Sequence, residues 1–321
     1  MSIDRYKLKL RQALPLEEKI KLTKLRIRQW VEHWGEDGVY VSFSGGKDST
    51  VLLHLVRSMY PNVEAVYVDT GLEYPELKQF VRTFDNVTIL RPEMAFNKVI
   101  EEYGYPVISK ETSEAVNNAR LHLKDGKKYQ HHYNKLMGLA KTKDGKPSMF
   151  NCSKWKFLLD APFKISHKCC NIMKKKPVHK YYKQTNRCPI VGTLAEESKL
   201  RVEQYLKNGC NGFDNKIPTS TPIAFWTEQD ILQYIYIYNI DYASVYGEIK
   251  QDERGKYYTT GCSRTGCMFC MFGCHLEKEP NRFQKMQITH PKLWDYCINK
   301  LGCGKVLDYI GVKYTNDSVT P

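Results

Sequence analysis

A polar loop between an apolar strand and an apolar helix constrains the fold of this chain most strongly. The stretch Val39–Phe43 is β-branched and aromatic, which predicts a buried strand. Ser44–Thr50 follows, and then an apolar run for which we expect a helix capped by Asp48 or Ser49. Two glycines in the loop let backbone amide groups approach an anion at the positive end of that helix. The loop therefore predicts a phosphate-binding site.

The loop differs from the Walker A pattern, which needs four residues between its glycines and a Ser or Thr directly after the Lys. Ser44–Ser49 instead resembles the SGGxDS pyrophosphate loop of the adenine-nucleotide α-hydrolase-like enzymes, which include ATP pyrophosphatases and PAPS/APS reductases. The resemblance implies a nucleotide-binding set with Lys47 and Asp48 in catalytic roles. That set is Ser44, Gly45, Gly46, Lys47, Asp48 and Ser49.

Strand and helix patterns alternate after the loop. Val63–Val68 and Val87–Leu90 read as strands, and Pro75–Phe84 and Met94–Tyr103 read as helices. This alternation predicts an α/β fold with a doubly wound parallel sheet. Ligands of such sheets bind beyond the carboxyl ends of the strands, so the loop and the Asp69–Glu73 stretch should share one edge.

The Asp69-Thr70-Gly71 stretch resembles a second signature of the PAPS reductase family. The resemblance implies that Asp69 contacts the nucleotide. Asp69 and Glu73 are also candidates for a Mg²⁺ site, since carboxylate oxygens are its preferred protein ligands.

Composition changes divide the chain into three predicted segments. Residues 1–36 form an N-terminal helical segment, because Glu17–Trp34 is amphipathic at helical spacing. Residues 37–225 form the nucleotide-binding α/β domain, and residues 226–321 form a helical, Cys-rich region that begins with a helix at about Thr227.

A basic helical insertion interrupts the α/β domain at residues 109–150. Its cations are Arg120, Lys124, Lys127, Lys128, Lys135, Lys141, Lys143 and Lys146. Lysines mixed with Tyr and His suit tRNA or another nucleic acid through phosphate contacts and stacking. A net charge of +14 agrees with a polyanionic partner. A solvated helical face explains the same pattern equally well.

The eleven cysteines of the chain indicate metal or redox chemistry. The N-terminus has no apolar signal segment, and no apolar run approaches the ~18 residues of a membrane span. We therefore expect a soluble, cytoplasmic protein without membrane contact. In that compartment thiols stay reduced, so these cysteines are poor candidates for disulfides.

Two cysteine groups stand out. Cys169 and Cys170 are adjacent within Phe163–Pro177, which contains no acidic residue. A cationic field of this kind stabilises thiolates. The second group, Cys262, Cys267, Cys270 and Cys274, lies in a short glycine-rich stretch. Reduced thiols at this density predict a metal site, and both zinc and an Fe–S cluster accept four thiolates.

The adjacent pair resembles the CCxxxK/RKxP signature of the Fe–S-containing APS reductases. The resemblance implies one [4Fe-4S] cluster held by Cys169, Cys170, Cys267 and Cys270. Cys262 or Cys274 remains an alternative ligand, which would free one member of the adjacent pair to handle sulfur.

The stretch Cys188–Gly192 predicts a strand and a turn, and the following residues end at Ser198 and Arg201. This segment resembles the family's glycine-containing Ser-x-x-Arg element. The resemblance implies that Gly192, Ser198 and Arg201 contact the nucleotide phosphates, with Arg201 catalytic. A helix-capping Ser beside a surface Arg is the competing interpretation.

Family resemblance and departure together define the functional hypothesis. PAPS and APS reductases carry a catalytic cysteine in a Glu-Cys-Gly-(Ile/Leu)-His motif, which this sequence lacks, and Cys303 is a candidate substitute. We predict an enzyme that uses ATP-pyrophosphatase-type activation coupled to Fe–S-dependent sulfur transfer, with a sulfur or electron donor protein as partner. One alternative is a sulfonucleotide reductase that releases sulfite. Another is a nucleic-acid-binding module with a regulatory nucleotide site. The sequence carries no prediction of oligomeric state.

Overall fold

The computed structural model describes residues 4–126 and 128–316. Lys127, one of the cations of the predicted insertion, lies outside these residues. The α-helices are α1 Arg5–Gln12, α2 Leu16–Trp34, α3 Lys47–Arg57, α4 Pro75–Val81, α5 Phe96–Glu102, α6 Lys110–Asp125, α7 Gln130–Met137, α8 Lys176–Thr185, α9 Lys199–Asn208, α10 Glu228–Tyr238, α11 Arg282–Thr289, α12 Pro291–Asp295 and α13 Cys303–Tyr309.

The strands are short. They are β1 Val39–Ser42, β2 Ala65–Val68, β3 Val87–Leu90, β4 Val107–Ile108, β5 Cys188–Val191, β6 Asn211–Gly212, β7 Thr219–Ser220, β8 Ile249–Gln251, β9 Tyr257–Thr259 and β10 Met271–Phe272. Turns of 3-10 helix occur at Glu36–Gly38, Ser153–Asp160, Ala195–Glu197, Ser244–Tyr246 and Cys274–Leu276, and π-helical turns at Asn171–Lys175 and Tyr296–Lys300.

The chain divides into two compact units. The first contains residues 4–69, 73–91 and 177–265, and the second contains residues 70–72, 92–176 and 266–316. The three segments predicted from the sequence, 1–36, 37–225 and 226–321, divide the chain at other residues than these two units do. That division stays a prediction.

A six-stranded sheet forms the centre of the first unit, with strand order β3-β2-β1-β5-β7-β6. Neighbouring strands are parallel except β6, which is antiparallel to β7 at the edge. In the β1–β5 pair Ser42 lies beside Val191, so the segments that follow these two strands leave the sheet next to each other.

Alternating strand residues contribute to separate apolar clusters. Val39 and Val41 of β1 belong to a large cluster with residues of α2, α3 and α10, whereas Tyr40 packs with Tyr181 of α8. Because successive strand side chains point to opposite faces, these clusters place helices against both faces of the sheet. The prediction of a doubly wound, largely parallel α/β sheet is confirmed.

The predicted elements are present with small shifts in their ends. For example, the helix predicted at Pro75–Phe84 ends at Val81, and the one predicted at Met94–Tyr103 covers Phe96–Glu102. The predicted cap of the loop helix is wrong. Gly46, with extended backbone, is the N-cap of α3, so Asp48 lies inside the first turn. The helix begins before the polar side chains that would have capped it.

The second unit contains the basic insertion and most cysteines. Helices α6 and α7 fill much of the insertion, which is helical as predicted. Strands β4 and β10 pair in parallel, with Met271 beside Val107. Ile108 adopts a φ of 65°, a left-handed conformation that strains a β-branched residue.

Within the described residues, no helix combines the length and the apolar character that crossing a membrane requires.

A buried ion pair ties the N-terminal helix α2 to the start of α10. Lys19 is 2% exposed, and its Nζ lies 2.6 Å from Oδ2 of Asp230. The same carboxylate accepts hydrogen bonds from the backbone N–H and the hydroxyl of Thr227, which completes a capping box. Removing one partner of a buried pair leaves the other charge without compensation, which is strongly destabilising.

We expect Lys19→Met to lower the free energy of unfolding by about 3 kcal/mol, because Asp230 loses its buried counter-ion. Urea unfolding followed by circular dichroism measures the change. The control is Lys21→Met, whose ammonium pairs with Glu18 at the surface and should change stability by less than about 0.5 kcal/mol. Equal effects of the two substitutions would contradict the argument.

Candidate functional site

The candidate site lies where the strand order of the first unit reverses. The chain passes from β1 to β2 on one side, whereas β5 pairs with β1 on the other. In open α/β sheets, ligands bind in the crevice outside the carboxyl ends of the strands at this switch point. The segments after β1 and β5 both line a cavity at this position.

The cavity has a volume of about 350 Å³. This is within the range of small-molecule sites. It is lined by Ser42, Ser44, Gly46, Lys47, Asp48, Ser49, Val191, Gly192, Thr193, Leu194, Glu197, Arg201, Glu228, Tyr246, Arg264 and Thr265.

Glycine is required at two close approaches in this site. Gly45 has a φ of 73°, and a Cβ atom there would lie 2.9 Å from Cγ2 of Val81. Gly192 follows β5, and a Cβ atom on it would lie 3.1 Å from the carbonyl oxygen of Asp48. Neither position tolerates a side chain without a shift of its neighbours, so the glycines set how tightly the two segments pack.

The loop hydroxyls hydrogen-bond within the loop. Oγ of Ser49 accepts from the backbone N–H of Ser44 at 3.2 Å and donates to the carbonyl of Gly46 at 2.9 Å. The two serine hydroxyls are 3.0 Å apart. These bonds fix the loop in a defined conformation and hold its hydroxyls beside the cavity.

Lys47 is the first residue of α3 and is only 5% exposed. Its Nζ donates to Oε1 of Glu228 and to the carbonyl of Ser263, each at 2.8 Å. It also lies 5.4 Å from the ring centroid of Tyr246. A buried ammonium group is unfavourable unless paired. In this structure a carboxylate, a carbonyl and an aromatic face provide that compensation.

Glu197 joins two further cations of the cavity. Its carboxylate pairs with Arg201 and, at 3.2 Å, with NH2 of Arg264. It also accepts a 3.0 Å hydrogen bond from the backbone N–H of Leu194. Glu197 is therefore anchored to the backbone and fixes the positions of both guanidinium groups.

The cavity shifts the acid–base equilibria of its groups. Burial raises the pKa of Asp48, with Glu228 acting in the same direction, while the nearby cations Lys47, Arg264 and Arg201 oppose the shift. Burial lowers the pKa of Arg201, and Arg264 adds to that effect. Burial also raises the pKa of Tyr246 to about 12, so its hydroxyl stays protonated and can donate to Thr265, 2.6 Å away.

Three residues predicted for the site lie outside the lining of the cavity: Gly45, Asp69 and Ser198. Oγ of Ser198 accepts from the backbone N–H of Arg201, as the N-cap of α9. Asp69, at the end of β2, pairs with Lys78 at 2.6 Å. Their predicted nucleotide contacts remain predictions.

Sequence reasoning missed Glu197, Glu228, Tyr246 and Arg264 as parts of the cavity. Glu228 directly follows Thr227, where the sequence predicts only the start of a helix, and Arg264 lies inside the cysteine-rich stretch. Neither residue has a local signal, because each reaches the loop from more than a hundred residues away along the chain.

In the second unit, four cysteine thiols are close enough to interact electrostatically. Burial raises the pKa of Cys169, and Cys170, Cys267 and Cys270 raise it further. The pKa of Cys270 is also raised, chiefly by burial. These are the four residues that the resemblance assigns to one cluster. A set of four thiols fits the donor chemistry of an Fe–S or a zinc site.

The segment around Cys270 is fixed by Arg282. NH1 of this guanidinium donates to the carbonyl of Cys270 at 3.0 Å, and its Nε donates to Glu277 at 2.7 Å. Among the residues that the structure describes, no group of three or more His, Cys, Asp or Glu side chains has an arrangement that would hold a metal ion.

The remaining candidate cysteines differ in their surroundings. Cys262 belongs to the first unit. Cys274, in the second unit, is buried, and this raises its pKa to about 12. Cys303, the candidate substitute for the reductase cysteine, is fully buried. It is hydrogen-bonded to Cys297, and this bond is the largest cause of the raised pKa of Cys297.

Apart from Lys135, which pairs with Glu111, the described cations named above for the basic insertion form two classes. The guanidinium group of Arg120 donates to the carbonyls of Leu158, Leu159, Ala161 and Phe163, so it holds the chain together internally. By contrast, Lys124, Lys128, Lys141, Lys143 and Lys146 are exposed. A nucleic-acid contact on this insertion would involve the second class.

Comparison with known proteins gives a family and several distant relatives. The family model described as "Phosphoadenosine phosphosulfate reductase domain" matches residues 38–146 and 127–271. A protein of Methanocaldococcus jannaschii, "Uncharacterized protein MJ0973", is 23% identical over 269 residues, which are 82% of this chain and 47% of that protein. The chain thus spans about half the length of this curated relative.

Two solved structures share 13% sequence identity with the chain. One is the phosphoadenylyl-sulfate (PAPS) reductase of Candida auris in a phosphate complex, with a TM-score of 0.39 over 80% of this chain and 98% of that one. The other is the U34-tRNA thiolase NcsA of Methanococcus maripaludis with its [4Fe-4S] cluster, with a TM-score of 0.35 over 94% and 84%. Since the family model matches more than half of the residues, the chain belongs to the phosphoadenosine phosphosulfate reductase domain family.

Proposed function

We propose that the cavity binds the β,γ-phosphates of ATP and that the protein adenylates an acceptor before sulfur is transferred to it. The observation that carries this proposal is the buried ammonium group of Lys47 in a glycine and serine loop at the switch point of the sheet. Arg201 and Arg264 line the same cavity. Three cations around one cavity suit the charge of a triphosphate.

Each polar group of the loop has a role in this proposal. Lys47 and the two guanidinium groups stabilise the negative charge that develops on the leaving pyrophosphate. The hydroxyls of Ser44 and Ser49 donate hydrogen bonds to phosphate oxygens. Asp48 lines the same cavity, and we propose it as a further contact of the nucleotide. We further propose Mg²⁺ as the metal that accompanies the nucleotide, with Asp69 as a candidate contact.

The proposed reaction has two displacement steps. An acceptor oxygen attacks the α-phosphorus, the bond to the α,β-bridging oxygen breaks, and pyrophosphate leaves with the electron pair. A hydrosulfide-level sulfur, delivered by a sulfur donor protein, then attacks the activated carbon, and AMP leaves. Both steps move electron pairs without net oxidation, so no external oxidant or reductant is needed.

We propose that Cys169, Cys170, Cys267 and Cys270 hold a [4Fe-4S] cluster. The support is their mutual electrostatic influence within one unit and the donor chemistry of four thiols. When bound, such a cluster would supply an iron site able to bind sulfur or to pass electrons. Zinc is the competing metal, because it accepts the same donor set.

A second candidate function is sulfonucleotide reduction, which the family match favours. A reductase would consume PAPS or APS, release sulfite and require a dithiol donor protein.

The acceptor in the adenylation proposal is not defined by the cavity. We propose tRNA as one candidate acceptor, because the exposed lysines of the insertion could contact its phosphates.

We expect Lys47→Met to weaken ATP binding about tenfold or more, because the substitution removes the buried charge that faces the phosphates. The measurement is equilibrium dialysis with ATP, followed by a pyrophosphate-release assay with water as the acceptor. The protein is the full chain, purified and reconstituted anaerobically.

The matched control is Lys207→Met, which removes an exposed lysine from α9 and should leave ATP binding unchanged. Sulfite formation from APS or PAPS, with no pyrophosphate released from ATP, would establish the reductase function instead. Unchanged ATP binding in Lys47→Met would exclude this cavity as the ATP site.

We expect Cys169→Ser, Cys170→Ser, Cys267→Ser and Cys270→Ser each to lose most of the iron and sulfide of the reconstituted protein, since each removes one thiolate ligand. Iron and sulfide analysis and the visible absorption spectrum measure the loss. Cys152→Ser, in the same unit, serves as the control and should retain the cluster.

Parallel analysis of Cys262→Ser and Cys274→Ser identifies any alternative ligand. If one of these variants loses iron while Cys169→Ser or Cys170→Ser keeps it, the cysteine whose loss removes iron replaces that member of the adjacent pair as a ligand. A wild-type protein that binds stoichiometric zinc and no iron would replace the Fe–S proposal.

A further inference from the structure

The ammonium group that would bind phosphate is already paired with a carboxylate of the protein. Nζ of Lys47 lies 2.8 Å from Oε1 of Glu228. Both residues line the cavity. A phosphate group that reaches Lys47 must therefore either replace this carboxylate or lie beside it, and two anions at one ammonium group repel each other.

The two partners differ in their freedom to move. The side chain of Lys47 is 5% exposed, whereas that of Glu228 is 41% exposed. Lys47 is further held by the carbonyl of Ser263. The Glu228 side chain has access to solvent and can be rehydrated when it leaves, so displacement of the carboxylate costs less than displacement of the ammonium group.

The backbone of Glu228 is fixed although its carboxylate is exposed. Its N–H donates to Oε1 of Glu196 at 2.6 Å. The adjoining capping box of Thr227 and Asp230, with the buried Lys19, holds the start of α10. The carboxylate can therefore leave Lys47 by side-chain rotation and return to the same place.

Glu197, a second glutamate of the cavity, lacks this freedom. Its side chain is 16% exposed, it pairs with two guanidinium groups, and it accepts from a backbone N–H. Glu228 is the lining acid that combines exposure with an ion pair to the loop lysine.

We propose that Glu228 is an exchangeable counter-ion of Lys47, which leaves when a nucleotide phosphoryl tail binds and returns when pyrophosphate departs. Its presence keeps the buried lysine compensated in the empty cavity. Its return competes with pyrophosphate and so favours product release. The inference rests on the proposed nucleotide function. It deepens that function because it assigns to Glu228 the control of affinity for the phosphoryl tail, and not for the rest of the nucleotide.

The exchange predicts a difference between nucleotides with and without a tail. ADP and pyrophosphate must displace Glu228 to reach Lys47, whereas AMP, in the leaving-group geometry proposed above, has no group at that position. Glu228→Gln keeps the size of the side chain and removes its charge. The substitution should therefore affect the tail-bearing ligands selectively.

We expect Glu228→Gln to bind ADP and pyrophosphate about fivefold more tightly than the wild type, and to bind AMP within about twofold of it, because a partly exposed ion pair no longer has to be broken. Isothermal titration calorimetry in EDTA measures the three ligands without a metal. Glu228→Ala should change the affinities in the same direction, which excludes an effect specific to the amide.

A thermal measurement provides a second readout. The empty Glu228→Gln protein should unfold at a lower temperature than the wild type, since Lys47 loses its counter-ion, and ADP should raise the unfolding temperature more in the variant than in the wild type. Glu203→Gln, which removes an exposed carboxylate from α9, should change neither measurement.

The outcomes separate this inference from the proposed function. If the wild type binds ADP and Glu228→Gln binds it equally or more weakly, the exchange is wrong and the nucleotide site remains. An equal increase in affinity for AMP and for ADP in Glu228→Gln would also overturn the exchange, because the effect would then be independent of the phosphoryl tail. If the wild type binds no adenine nucleotide and no pyrophosphate, both proposals fail.

Discussion

The buried charge of Lys47 is the constraint around which the first unit is arranged. An ammonium group at 5% exposure has to be compensated by groups brought to it from other parts of the chain. Glu228 and the carbonyl of Ser263 supply that compensation across sequence separations of 181 and 216 residues. The start of α10 is in turn held by the buried pair of Lys19 and Asp230. The buried lysine of the Ser44–Ser49 loop therefore depends on contacts that only the folded unit can provide.

The position of this charge follows from the sheet. Since β1 pairs with β2 on one side and with β5 on the other, the segments after β1 and β5 leave the sheet together and form opposite walls of one crevice. Gly192 allows the second segment to approach the backbone of Asp48 within contact distance. Loop chemistry and sheet topology thus reinforce each other, and membership of the phosphoadenosine phosphosulfate reductase domain family agrees with both.

Local features were predictable from the sequence, and long-range ones were not. The strand at Val87–Leu90 and the helix at α2 follow from apolar periodicity, because burial of one face imposes a period on neighbouring residues. The ion pair of Glu228 depends on how α10 packs, whereas the sequence predicts only a helix that begins near this residue. The sequence groups Arg120 with the lysines of the insertion, although its guanidinium group donates to four backbone carbonyls. The contacts of Glu228 and of Arg120 produce no periodic or local pattern in the sequence.

Charge balance explains why the cavity contains acids at all. Lys47, Arg201 and Arg264 without counter-ions would repel one another. Burial lowers the pKa of Arg201, and the neighbouring Arg264 lowers it further. Glu197 and Glu228 offset most of this charge. A polyphosphate brings more negative charge than these two carboxylates, so its entry favours loss of negative charge elsewhere. In the proposed exchange, the exposed carboxylate of Glu228 moves into solvent. Glu197 stays because removing it would separate two guanidinium groups from their shared anchor.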